Sequence, residues 1–208
     1  MGVLKPMHDE EEVEEGAYEI TTKMVITWKH RIEKGGWFRR ARLVARQCKW
    51  SIFTDEAFAP TSAYGIVKLM LHRALMDRNM GVWTVDIKDA FLMVDQPTDE
   101  KAMVTRDGKK YKLGKVLPGQ RTAASKWFHE FKEKAAKYGM ESDSMQPTLM
   151  RMKKKSHEEG HRLYATIHVD DLMLVGDEAL AMKFLGQKTK VGSWKRRGSL
   201  GSMKDSAT

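Results

Sequence analysis

The sequence predicts a mixed fold, α+β or α/β, on three observations. Apolar runs of strand length alternate with stretches whose apolar residues recur at helical spacing. Turn residues punctuate those runs at Gly35-Gly36, Asp107-Gly108 and Gly139. The chain has 208 residues, 41% of them hydrophobic, enough for one large or two small domains with a core.

The elements follow in order. Residues 1–20 read as an acidic, disordered leader, since Asp9 to Glu15 holds a single apolar residue, Val13. Met24-Val25-Ile26-Thr27-Trp28 is a strand candidate, Glu33 to Gly36 a turn, and Trp37 to Arg46 a returning strand with alternating bases. After Pro60, Thr61 or Ser62 can cap a helix to about Arg78, with Ile66, Met70, Ala74 and Leu75 on its apolar face. Val82 to Ile87 is a short strand, and Lys101 to Leu113 a hairpin around Asp107-Gly108. The clearest helix is Ala123 to Tyr138, where Ala124, Trp127, Phe128, Phe131, Ala135 and Tyr138 fall on one stripe and Gly139 ends it. Pro147 to Met152 and Leu163 to Val175 are further strands, and Asp177 can cap a last helix through Phe184. Residues 187–208 form a basic, Gly/Ser-containing tail and are expected to be disordered.

Charge narrows the partners. Thirty-seven Lys and Arg stand against 28 Asp and Glu. Seven of those acids lie in residues 1–20 beside one base, Lys5, leaving 36 bases and 21 acids in the rest. A body that basic favours a polyanion such as nucleic acid, with a solvated basic surface as the plain alternative. One cysteine, Cys48, excludes a disulfide scaffold and a cysteine-based zinc module. No apolar run approaches the length of a membrane span, and the N-terminus has no hydrophobic signal region.

The chemistry is concentrated in carboxylates. Asp170 and Asp171 sit between two strand-like apolar stretches, Leu163 to Val169 and Leu172 to Val175. Adjacent carboxylates repel and desolvate poorly, so a hairpin tip solves the geometry and a divalent cation the charge. An ordinary exposed Asp-Asp turn is the competing reading. Asp86 ends a second apolar strand, Val82 to Ile87. Together the three could form the hard-oxygen site that Mg²⁺ prefers.

With these segments in view, the chain resembles the reverse transcriptase of copia-type LTR retrotransposons. Arg40-Ala-Arg-Leu-Val-Ala-Arg46 resembles a basic fingers strand, and Asp55-Glu-Ala-Phe-Ala-Pro60 the "ETFAP" signature. Val85-Asp-Ile-Lys-Asp-Ala-Phe-Leu92 resembles the "MDVKTAFL" block. Leu117 to Phe128 occupies the place of "LYGLKQAPRAWY", and His168-Val-Asp-Asp171 that of the "YVDD" box. Five blocks in one order span roughly residues 22–185.

The resemblance implies an α+β fold: right-hand polymerase fingers at residues 21–80 and a palm at residues 81–186, the antiparallel palm sheet backed by helices. It implies RNA-directed DNA polymerase activity on an RNA template and DNA primer, with dNTPs as substrates. Asp86, Asp170 and Asp171 match the catalytic metal-binding triad, with the carbonyl of Ile87 as a further ligand to two Mg²⁺ ions, for which Mn²⁺ can substitute. Arg42 and Arg40 match bases near the triphosphate, and Ile87 and Phe91 line the nucleotide, Phe91 as the aromatic under its sugar. Several positions depart from the pattern. His168 replaces Tyr, and Thr122 falls where the family has Gln, so Gln120, two residues earlier, is the nearest amide for the dNTP pocket. The strand expected after the last helix is not visible, and no thumb or RNase H segment follows. The match thus looks like a fingers–palm piece of a Pol polyprotein, RNase H and integrase being the other regions expected in the full element. It implies an intracellular setting, cytoplasmic in particles or nuclear. The rival reading is a non-catalytic or decayed copy that binds nucleic acid.

His157-Glu-Glu-Gly-His161 fits H-E-x-x-H, but the segment carries Gly160 and no apolar residue. It reads as a polar loop, not a helix presenting two imidazoles. Cys48 reads as a passive thiol, and Trp127 and Phe128 as core.

Overall fold

The computed structural model describes residues 2–8, 14–31, 35–47, 57–153, 162–186 and 194–200. The chain divides into two compact units, residues 1–58 with 91–126, and residues 59–90 with 127–208. The sequence suggested four contiguous segments, with the fingers–palm boundary at 80/81. The chain passes between the two units three times.

The first unit holds two sheets. One has four strands in the order β1 (Leu4–Pro6), β7 (Lys109–Leu113), β6 (Ala102–Arg106), β2 (Tyr18–Glu19). The β6–β7 hairpin turns at Asp107-Gly108, both at positive φ, as the Asp-Gly pair predicts. Strand β1 pairs antiparallel with β7, and β2 parallel with β6. Residues 4–6 and 18–19 are thus sheet strands, which corrects the expectation of disorder at those positions. The reason lies in the apolar residues flanking the acid run: Val3, Leu4 and Tyr18 pack on a buried cluster of Ile20, Ala45, Ala102, Val104, Leu113 and Leu117. The second sheet is the antiparallel pair β3 (Thr22–Arg31) and β4 (Gly36–Ala45), in register from Thr22↔Ala45 to Arg31↔Gly36. Gly119 lets the backbone pass close to β4. It sits at φ +88°, and a Cβ there would lie 2.3 Å from the Ala45 carbonyl oxygen.

The second unit is built on one sheet. Its order is β12 (Trp194–Leu200), β5 (Gly81–Ile87), β11 (Asp171–Gly176), β10 (Leu163–His168), β9 (Leu149–Met152), β8 (Met140–Ser142), antiparallel throughout. Helix α1 (Tyr64–Met76) covers one face through Met70, which joins Met80, Val82 and Val175 in a buried cluster. Helix α2 (Ala123–Lys137) carries Trp127, Phe131 and Ala135 of this unit into full burial. Helix α3 (Glu178–Gly186) buries Ala181, Phe184 and Leu185 and is capped by Asp177, whose Oδ1 accepts from Leu180 N at 3.2 Å.

Two expectations are corrected here. Ser62 does not cap α1: the N-cap is Ala63, without a side-chain bond. The Ser62 hydroxyl instead donates to the Ile167 carbonyl at 2.8 Å and lies 2.7 Å from Thr166 Oγ1. The tail expected to be disordered over 187–208 contains strand β12, paired with β5 from Trp194↔Ile87 to Leu200↔Val82 around a bulge at Arg196/Gly198. Backbone groups make that pairing, so no alternation of apolar side chains announces it. Cys48, Asp55-Glu56 and the His157–His161 segment lie outside the described residues.

Candidate functional site

Two of the three candidate acids, Asp86 and Asp171, are paired in register in the six-stranded sheet, and the third, Asp170, lies on the turn next to Asp171. Asp86 on β5 is the direct register partner of Asp171 on β11. Ile87 N donates to the Asp170 carbonyl at 2.7 Å, so Asp86 and Asp171 form a non-hydrogen-bonded pair, the kind whose side chains stand closest on one face. Asp86 is half-buried, while Asp170 and Asp171 are exposed. On the other side of Asp171, its register partner is His168 on β10; on the other side of Asp86, the register partner is Lys195 on β12. A row His168–Asp171–Asp86–Lys195 therefore crosses four strands.

The tip that carries Asp170 is a two-residue turn between the paired His168 and Asp171. Val169 takes φ +56° whereas Asp170 is not among the positive-φ residues, the pattern of a type II′ turn. Glycine normally fills that first position, and a β-branched residue there is strained. The turn is held from below. Trp127, buried on α2, donates through Nε1 to the Val169 carbonyl at 2.6 Å. Sequence reasoning placed Trp127 in the core but missed this bond; the signal was available, because a buried indole N–H needs an acceptor.

Beside the row lies a cleft of about 380 Å³, with Thr84, Thr166, His168 and Asp171 among its lining residues and Ser62 and Met173 on its wall. Here the bonds from the Ser62 hydroxyl to the Thr166 hydroxyl and the Ile167 carbonyl join the segment before α1 to β10.

The donors suit a hard divalent cation in kind, being carboxylate and carbonyl oxygens. Directly opposed like charges also destabilise a strand pair unless a cation or donor compensates them. Among the described residues, no three His, Cys, Asp or Glu side chains are gathered in a metal-holding arrangement. Asp86 and Asp171 are register neighbours, and Asp170 is one residue from Asp171 on the turn, whereas Ile87 offers only its backbone, its side chain being buried.

The remaining candidates belong to the first unit. Arg40 and Arg42 lie on β4 opposite Thr27 and Val25, Arg40 half-buried and Arg42 exposed. Phe91 is half-buried in a 3₁₀ turn, Ala90–Met93, and its carbonyl accepts from Val94 N at 3.1 Å. Gln120 is buried and its amide is engaged on both sides: Oε1 accepts from Leu117 N at 2.7 Å, and Nε2 donates to Gln96 Oε1 at 3.2 Å. That geometry makes Gln120 a brace of its loop. Gln96 passes the chain on to Glu100, which also accepts from Tyr18 and Lys126. No sequence pattern signalled that network.

No helix among the described residues is long and apolar enough to cross a membrane. No curated protein matches the chain. Residues 12–195 match the family model described as reverse transcriptase (RNA-dependent DNA polymerase), the copia/Ty1 type. That match covers most of the chain, takes in both units and contains Asp86, Asp170 and Asp171, so the chain belongs to the copia/Ty1-type reverse transcriptase family.

Proposed function

We propose that the chain is the catalytic core of an RNA-directed DNA polymerase, with the six-stranded sheet as its palm and the β3–β4 hairpin within its fingers. The observation that carries this reading is the direct register pairing of Asp86 with Asp171, with Asp170 beside them on a pinned turn. Asp86, Asp170, Asp171 and the carbonyl of Ile87 would hold two Mg²⁺ ions. When bound, such ions activate a primer 3′-hydroxyl and neutralise charge on the leaving pyrophosphate. The chain's own residues orient the substrates. Arg42 and Arg40 offer guanidinium groups to the triphosphate, and Phe91 lies along the sugar. The basic body holds RNA template and DNA primer through their phosphates.

A second reading, a non-catalytic nucleic-acid-binding copy, draws on two observations. No three metal-ligating side chains converge among the described residues, and the Gln120 amide is engaged internally. Primer extension on a homopolymer RNA template with Mg²⁺ or Mn²⁺ separates the two. The polymerase reading expects extension by the native chain and background for Asp170→Asn, which removes a charge at nearly constant volume. Because Asp170 is exposed on its turn, the melting temperature of the variant should stay level. Equal extension by both proteins would sink the assignment; hybrid binding without extension by either would establish the second reading.

A further inference from the structure

The first unit contains a second charged site, remote in sequence from the acidic row. A cleft of about 330 Å³ is lined by Lys5 on β1, Lys101 just before β6 and Lys112 on β7. Glu14 stands in it. Its Oε1 accepts from Lys112 Nζ at 2.9 Å and its Oε2 lies 3.6 Å from Lys101 Nζ, while Lys101 also donates to the Glu15 carbonyl at 2.8 Å. One carboxylate thus spans two ammonium groups, one from just before β6 and one from β7. The two other acids lining the cleft have cations of their own, Asp95 with Lys115 at 2.6 Å and Glu100 with Lys126. Glu14 is thus an anion that Lys101 and Lys112 share. Those two cations hold its carboxyl below the usual carboxylate range, the hydrogen bond from Lys112 contributing most.

The clamp is built to be opened. All three side chains are between about a third and a half exposed, at 49% for Glu14, 38% for Lys101 and 34% for Lys112. Exposed ion pairs of this kind are weak and screened by salt. Glu14 also belongs to a run of six acids within residues 9–15 of a chain that is otherwise strongly basic. A carboxylate bridging two lysines mimics a phosphate group, which would bring more charge and more acceptor oxygens to the same donors.

We propose that Lys5, Lys101 and Lys112 form a phosphate-binding subsite, and that Glu14 occupies it as an internal competitor, so that the acidic N-terminal segment restrains polyanion binding by the first unit. The proposal is independent of the carboxylate row and of polymerase activity.

The test is a binding cycle on the full chain. Affinity for a fluorescent 20-nucleotide single strand is measured against salt for the native protein, Glu14→Gln, Lys101→Gln/Lys112→Gln, and all three changes together. Glu133→Gln, an exposed acid on α2, controls for net charge alone. Glu14→Gln should tighten binding severalfold more than Glu133→Gln and steepen the salt slope by about one, the value of an added phosphate contact. In the lysine-less background the Glu14 change should have no effect beyond the control. A Glu14 effect equal to the Glu133 effect, or one that persists without the two lysines, would overturn the proposal.

Acylation of lysines, read by mass spectrometry, probes the cleft directly. Lys101 and Lys112 should be protected in the native chain and reactive in Glu14→Gln. Inorganic tripolyphosphate or the oligonucleotide should restore protection. Protection by both identifies general phosphate recognition, and protection by the oligonucleotide alone identifies the nucleic-acid backbone. Protection by neither overturns the site.

Discussion

The indole of Trp127 donates its Nε1–H to the carbonyl of Val169 at 2.6 Å, so the core of the second unit directly holds the turn that carries Asp170. Trp127 is 1% exposed and packs on Phe131 with ring centroids 5.8 Å apart. The bond therefore ties a turn at the surface to a buried aromatic stack. Trp127→Phe keeps much of the ring while deleting the donor. It should cost about 2–4 kcal/mol, from a carbonyl left unpaired and the volume lost. Urea denaturation measures the total. Amide exchange should quicken most at residues 169–171, and uniform loosening would show that the bond does not act on the turn.

The strain in that turn has its own signature. Glycine in a strand pair is usually less stable than alanine by about 0.5–1 kcal/mol. At φ +56° the order should invert, because alanine retains the left-handed penalty of about 1–2 kcal/mol that glycine escapes. Val169→Gly is thus expected to melt above Val169→Ala. The opposite order would mean that the turn relaxes to negative φ in solution.

How much of this was legible in the sequence depends on what each feature is made of. Helix α2 was readable because its stripe is written in side chains three and four apart. The hairpin with acids at its tip was readable because Asp170 and Asp171 interrupt two apolar runs. Strand β12 was not, since a register made by backbone groups leaves no alternation to read. The Trp127–Val169 bond spans 42 residues. Its donor's need was visible, but its partner could be known only from the fold. Ser62 misled for a related reason: a serine just before a helix fits a cap, and the nearby hydroxyl and carbonyl on β10 gave it other partners.

Alkaline pH should loosen the first unit as it rises from 10 to about 12. Burial, and then the nearby Glu100 carboxylate, push the Tyr18 hydroxyl up from 10.0 to about 12. The fold therefore favours the neutral phenol. This stability is fully present below pH 10 and is lost as pH rises from there through about 12. Tyr18 remains half-exposed, so water screens part of the effect. Denaturation of native and Tyr18→Phe proteins from pH 9 to 12 should show a steeper decline in the native chain. Parallel curves would mean that the lysines alone govern the alkaline limb.

Phe91 offers the most direct test of substrate choice. It lies five residues after Asp86, is the second residue of a 3₁₀ turn in which its carbonyl accepts from Val94 N, and is half-buried. A half-buried ring can serve as packing or as a wall, and the two roles predict different kinetics. If the ring lies along the sugar of the incoming nucleotide, it rejects the 2′-hydroxyl by overlap, that hydroxyl being the group by which proteins distinguish RNA from DNA. Phe91→Val would then leave dNTP incorporation measurable and raise the rNTP/dNTP ratio of kcat/KM about tenfold or more, equivalent to about 1.4 kcal/mol for each factor of ten. If the ring only packs, both substrates lose activity together, and the variant melts earlier for want of buried apolar surface. Thermal melts run beside the two kcat/KM values separate these outcomes. An unchanged ratio in a folded, active variant would remove Phe91 from the nucleotide site and leave it as part of the first unit's packing.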